Sequence, residues 1–212
     1  MNNIIFSWRR SPTYQPYYVE KLIRTLQRTV DNPNIYVLTD ENINFKGATT
    51  LVSTHPEWFG WWSIMEIFKP GLFPDMEPDE CVFFLGLDTI ITSPINDIFE
   101  IQSDFAAMPE RPFNSSLIRY RPSKMGFLYE GMKQYWAGKI KGRFRGDQDL
   151  MAHLLIKKKY KWEYIRIPGI ASYKHTCRGN EFDLETMRFI IFHGKPKPHE
   201  IPEDDPLREF WV

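Results

Sequence analysis

Residues 3–40 read NIIFSWRRSPTYQPYYVEKLIRTLQRTVDNPNIYVLTD, and their reading decides the fold class. The apolar run at residues 3–8 predicts a buried first strand, and Pro12 and Pro16 then punctuate a loop. Tyr18, Leu22, Leu26 and Val30 recur at helical spacing with Lys21, Arg24 and Arg28 between them, which predicts an amphipathic helix. Asp31-Asn32-Pro33 stops it, and Ile35-Tyr36-Val37-Leu38 follows as a second buried strand ending at Thr39-Asp40. A strand, helix and strand in this order make a right-handed crossover with parallel pairing, hence an α/β protein. Ligands of such sheets bind at the carboxyl ends of the strands, here near Thr39-Asp40.

Working outward, residues 61–68 read as a short helix closed by Lys69-Pro70-Gly71. Residues 81–85 form the most apolar strand candidate, and Gly86-Leu87-Asp88 separates it from a second run at residues 89–91. Strands are expected at residues 105–108, 116–118 and 188–192, and helices over 124–139 and from Asp147-Gln148-Asp149 to the basic end at 157–159.

The 212 residues balance 27 Lys+Arg against 27 Asp+Glu, which argues against nucleic-acid binding by bulk counterion release. This length suits one domain, expected over residues 1–200, with 201–212 as a C-terminal tail. The closing Phe210-Trp211-Val212 has no polar tail, as though further domains follow in a longer native chain. No apolar run approaches the ~20 residues that span a bilayer, and the N-terminus lacks the basic and apolar regions of a signal peptide. Two cysteines make no disulfide framework, so a reducing cytoplasmic setting is the expectation. The chain is also expected to be a monomer. Aromatic residues reach 16%, with seven Trp, most of them explained by a core.

Asp88 is an ionisable residue between two apolar runs. A buried carboxylate needs donors or a cation, so Asp88 either caps a turn or holds Mg²⁺ or Mn²⁺ at a strand end. His193-Gly194-Lys195-Pro196-Lys197-Pro198 sets one imidazole and two ammonium groups on an extended path. It is either a solvated basic loop or a set that holds a metal-bound diphosphate, with a ligand for the ion and cations for the remaining oxygens. Asp147-Gln148-Asp149 either opens a helix or forms a polar cluster for sugar hydroxyls. Trp58, Trp61 and Trp62 are either core or a sugar platform.

Together these segments resemble GT-A-fold glycosyltransferases. Phe84-Leu85-Gly86-Leu87-Asp88-Thr89-Ile90-Ile91 is similar to the strand and loop in which two acidic residues, one apart, hold a divalent ion against a nucleotide-sugar diphosphate. Trp62 to Phe68 resembles the preceding helix, Asn114-Ser115-Ser116 the asparagine-containing strand near the sugar, and Asp147-Gln148-Asp149 the donor and acceptor contact. Phe192 to Pro198 is similar to the closing histidine-glycine-lysine segment of retaining families related to glycogenin and bacterial galactosyltransferases. The chain also resembles the N-terminal glycosyltransferase domain of a larger protein from chlorella viruses, which would place it in host cytoplasm. Two departures stand out: Gly86 occupies the first acidic position, and Ile64 stands where the family usually has lysine. His193 also directly precedes Gly194, whereas many relatives place the histidine three residues ahead.

The resemblance implies a single Rossmann-like domain with a mixed, mostly parallel central sheet flanked by helices. It implies transfer of a sugar from a UDP-sugar donor to a glycan hydroxyl, with retention of configuration and Mn²⁺ (or Mg²⁺) dependence. Asp88 and His193 would be the metal ligands. Ser7, Trp8, Arg9, Thr39, Asp40, Leu87 and Asn114 would contact the donor, and Lys195 and Lys197 would stabilise the leaving diphosphate. Asp147, Gln148 and Asp149 would carry the catalytic positions, the last two as candidate nucleophiles if the mechanism is a double displacement. Two other readings compete. A sugar-1-phosphate nucleotidyltransferase needs a glycine-rich loop after the first strand, where this chain has Ser7-Trp8-Arg9-Arg10-Ser11-Pro12. A sugar-binding module, resting on Trp content alone, would leave Asp88 and His193 unexplained, and the missing first carboxylate keeps an inactive homologue among the alternatives.

Overall fold

The computed structural model describes residues 1–178 and 182–212. β1 (Asn2–Trp8) and β2 (Pro33–Thr39) pair in parallel across α1 (Pro16–Thr29), the crossover that residues 3–40 predict. Proline at the first turn opens α1, and Asn32 takes a left-handed φ of 47° just beyond its end. β3 (Thr49–Val52) adds in parallel to β2, and β4 (Val82–Leu85) then pairs on the other side of β1. β5 (Thr89–Ile91), β6 (Phe105–Met108) and β7 (Asn114–Tyr120) follow, then α2 (Pro122–Trp136), α3 (Asp147–Lys157), β8 (Glu163–Tyr164), β9 (Ile170–Ser172) and β10 (Phe189–Ile191). Among the described residues the main sheet has seven strands in the order β3-β2-β1-β4-β7-β6-β8, with β7 antiparallel to β4 and β6. A second sheet of three strands runs β5-β10-β9. This is the expected α/β domain with a mixed, mostly parallel sheet.

The central strands are apolar throughout because both faces are covered. Ile5, Leu38 and Phe84 face a layer made by Met65, Phe68, Leu128 of α2 and Leu150 of α3. Ile4, Phe6, Val37 and Phe83 face the opposite layer, where Leu22 and Leu26 of α1 pack. The period-two alternation thus sends neighbouring residues into separate cores.

Several boundaries differ from the sequence reading. Gly60–Phe68 winds as a 3-10 helix; residues 65–68 are all buried, so no single face imposes α-helical spacing. α2 starts at Pro122 and ends at Trp136, and Gly138 just beyond has φ 71°. β3, β8 and β9 lacked a sequence signal because they are two to four residues long. The two apolar runs flanking Asp88 join different sheets, β4 the large one and β5 the small one. No helix among the described residues is long and apolar enough to cross a membrane.

Residues 201–212, read above as a tail, carry three buried apolar side chains, Ile201, Leu207 and Trp211. Trp211 packs edge-on against Tyr18 of α1 at 4.8 Å, and Lys21 donates to the Trp211 carbonyl at 2.7 Å. Trp211→Ala is therefore expected to lower unfolding free energy by about 3 kcal/mol, the range for losing a buried ring. Urea denaturation checks this; an unchanged midpoint would show that the segment packs without contributing stability.

Candidate functional site at the sheet's switch point

The chain leaves β1 towards β2 and β3 and then returns to β4 on β1's other edge, so the strand order reverses between β1 and β4. In open α/β sheets that point opens a crevice at the carboxyl ends of the strands. Arg9 follows β1, Asp40 follows β2, Ser53 follows β3, and Gly86 to Asp88 follow β4. The fold therefore brings residues from distant parts of the sequence to one edge.

Arg9 sits in a largely buried network. Its Nη2 donates to Glu66 Oε2 at 3.2 Å and also to Ser53 Oγ, and its Nη1 lies 3.3 Å from Asp40 Oδ1. Glu66, fully buried, also accepts from Ser53 Oγ and, at 2.6 and 2.9 Å, from the Thr54 N–H and hydroxyl. Arg9 Nε and Nη1 are buried without a hydrogen bond among the described residues, Nη1 being held only by its ion pair with Asp40. Ser7 Oγ donates to Ser63 Oγ at 3.1 Å.

Asp88 lies on the other side of the switch point. Its main chain is fixed by the Phe192 N–H, which donates to the Asp88 carbonyl at 2.9 Å and so brings the end of β10 alongside. Asp88 Oδ2 accepts from the Tyr14 hydroxyl at 2.6 Å and from the Lys197 ammonium, which also lies 5.4 Å from the Tyr14 ring centroid. Burial raises the Asp88 carboxyl above the ordinary range, opposed first by the charge of Lys197. Burial likewise raises the Tyr14 hydroxyl and lowers the His193 imidazole, because it disfavours the charged form of each. Gly194 takes φ 71°, a turn that suits glycine and carries the chain from His193 round to Lys197.

A third group completes the site. Asn114, at the start of β7, donates to Glu110 Oε2 at 2.7 Å, and its Nδ2 lies 3.3 Å from His193 Nδ1. Gln148 Oε1 accepts from the Ser115 N–H at 2.9 Å, which joins the N-terminus of α3 to β7. The Gln148 NH₂ group has no hydrogen bond among the described residues. Asp147 is buried with Oδ2 unpartnered, and burial pushes its carboxyl up to about 6. Asp149 turns outward instead: Arg145 donates to it through Nε at 2.9 Å and holds its carboxyl below the usual range.

The structure does not gather all of the sequence-predicted residues equally. Trp8 is fully buried, its Nε1 donating to the Tyr14 carbonyl and its ring edge-on to Phe45, so the indole supports the crevice wall from within the core. Thr39 is buried and caps the following turn by accepting from the Glu41 N–H. Leu87 packs between two apolar clusters. Lys195 is exposed and donates to Glu200 at 3.2 Å. Tyr14, Ser53 and Glu66 were not singled out. Glu66 had a signal, being the one ionisable residue in the run 61–68, whereas Tyr14 had none, since its partner lies 74 residues away.

For a divalent ion the protein supplies Asp88 Oδ1, buried and unpartnered, and the His193 imidazole. Among the described residues no group of three or more His, Cys, Asp or Glu side chains could hold a metal. These two donors fit a Mn²⁺-type ion only as the protein half of a metal–diphosphate complex, because a hard cation needs six or more ligands. At Gly86 an added Cβ would meet Ser116 at 3.4 Å, ordinary contact, so the backbone does not require glycine there.

This sheet, with its switch point and the closing segment folded back over it, is the GT-A glycosyltransferase fold. Glycosyltransferase GlyE of Streptococcus pneumoniae TIGR4 is similar over 99% of this chain, with a TM-score of 0.68 at 16% identity. An active-site mutant of LgtC is similar over 98%, with a TM-score of 0.65 at 9% identity. The galactosyltransferase LgtC in complex with donor and acceptor sugar analogues gives a TM-score of 0.63 at 9% identity. The chain spans 59% of the length of the GlyE chain and 93% of the LgtC chain. No family model matches the chain. No curated protein matches it either.

The Asp147 carboxyl sets a pH dependence. Its folded pKa of about 6 exceeds the ordinary 3.8, so the native state holds this proton more tightly than the unfolded chain. Stability therefore falls as pH rises from about 4 to about 6 and levels off above that. Asp147→Asn is expected to flatten this part of the profile and to raise stability at pH 7.5 by about 3 kcal/mol. Comparing urea midpoints of the two proteins from pH 4 to 8 isolates Asp147 from Asp88, whose shift has the same sign. Identical slopes would show that Asp147 does not titrate in this range.

Proposed function

We propose that this chain is a glycosyltransferase that moves a sugar from a UDP-sugar to a glycan hydroxyl, with retention of configuration. The observation that carries the reading is convergence: Arg9, Asp88, His193 with Lys197, and Asn114 with Gln148 meet at the switch point of a GT-A sheet. The strand ends that carry Arg9, Asp40 and Ser7 suit the nucleoside, the usual ligand position of such a sheet. Lys197 and Lys195 face the diphosphate and stabilise charge as it leaves. The Gln148 NH₂ group and the unpartnered Asp147 Oδ2 orient the transferred sugar through its hydroxyls. Asp149, engaged by Arg145, has no part in this arrangement.

Bound Mn²⁺ would neutralise diphosphate charge as a Lewis acid, with Asp88 and His193 as its protein ligands. Lys197 holds Asp88 in the free protein, so this ion is expected to bind weakly until the nucleotide arrives. A donor-hydrolysis screen of UDP- and GDP-sugars with Mn²⁺ is expected to find turnover of a UDP-sugar, and turnover of none would sink the transferase reading. Asp149→Ala should keep that turnover within about threefold, whereas Lys197→Met should weaken UDP binding tenfold or more, the worth of about one charged hydrogen bond. In calorimetry, Lys197→Met should also bind Mn²⁺ more tightly without nucleotide than the wild type does. Tight Mn²⁺ binding to the nucleotide-free wild type would contradict this account.

A further inference from the structure

The sequence reading left the tryptophans near residue 60 divided between core and sugar platform, and the structure separates them. Trp58 is buried and stacks on His55, while Trp61 is 62% exposed. Phe59 is 68% and Trp136 of α2 is 39% exposed, and these two rings meet edge-on at 5.9 Å. Large exposed rings gathered on one face mark a binding surface, since a solvated surface gains nothing from them.

The position of this face says what it meets. An added Cβ on Gly146 would touch the Trp61 ring at 3.4 Å, and Gly146 caps the helix whose next residues are Asp147 and Gln148. The aromatic face therefore runs directly into the sugar end of the candidate site. Beyond it a shallow hollow of about 570 Å³ is lined by Tyr135, Trp136, Ile140 and Lys141. Along the same loop Lys139, Lys141 and Arg143 are exposed, and none has an ion-pair partner among the described residues. The rim thus offers hydrogen-bond donors and the floor flat apolar rings.

We propose that Phe59, Trp61 and Trp136 form the acceptor subsite, and that its occupant is a glycan chain. A sugar ring presents an apolar C–H face to an aromatic ring and oxygen lone pairs at its edge, and the rim supplies donors for those oxygens. The inference rests on the transferase reading and names the acceptor side of the same site.

The test is a glycan array incubated with labelled UDP-sugar and either wild type or Trp61→Ala, with Trp136→Ala as a second variant. Wild type is expected to label a subset of glycans, and each variant to label them at least about tenfold less. UDP binding and donor hydrolysis should stay within twofold in both variants, which a misfolded protein would not achieve. Equal labelling by wild type and variants, or labelling of no glycan while hydrolysis is intact, would overturn the subsite. Loss of hydrolysis in the wild type would instead overturn the transferase reading.

Discussion

A fully buried carboxylate, Glu66, holds the crevice together. Removing a carboxylate from water is costly unless its oxygens are satisfied, and Glu66 accepts from Arg9, Ser53 and both donor groups of Thr54. Those partners sit at the carboxyl ends of β1 and β3, and Glu66 itself lies on the 3-10 segment between β3 and β4. One side chain thus sets the spacing of two strand ends and of the segment that covers them. Replacing it with an apolar residue would leave the largely buried Arg9 charge with only the more exposed Asp40 to balance it among the described residues, and would strip Ser53 and Thr54 of their acceptor.

The opposite wall has the same construction with the charges more exposed. Asp88 is tied to Tyr14 from the loop after β1 and to Lys197 from the closing segment. Because Phe192 bonds to the Asp88 main chain, the small sheet and the large one share this link. The two carboxylates differ in what they leave open. Glu66 has four donors converging on its two oxygens, whereas Asp88 keeps Oδ1 buried and unpartnered. A wholly satisfied carboxylate ties its neighbours together, and the open oxygen on Asp88 is the reason it stands in the proposed site.

The fold was legible because the crossover at residues 3–40 and the apolar run at 81–85 carry strong periodicity. Asp88 stood out for the same reason: an ionisable residue amid apolar neighbours must have a physical explanation nearby. Tyr14 could not be read, because a loop tyrosine carries no periodic signal and its partner is set by tertiary folding. Trp8 illustrates the opposite failure. The family resemblance implies a donor contact for it, but as the last residue of β1 its ring points into the α1 layer and fills the core. Asp147 and Asp149, adjacent but one, also part company, since helical geometry turns one inward and the other to Arg145.

The zero net charge gives these details a common consequence. A neutral chain that binds a diphosphate must concentrate positive charge locally, and Arg9, Lys195 and Lys197 are the cations in reach. Arg9 is already balanced by Asp40 and Glu66, so its contribution is directional hydrogen bonding rather than free charge. Lys195 is exposed and pairs with Glu200, where solvent screens it. Lys197 is the cation with a partly buried position, and Asp88 Oδ2 accepts from it while Asp88 Oδ1 stays without a partner among the described residues. On the proposed reading a diphosphate would therefore compete with Asp88 for the one ammonium that solvent does not screen.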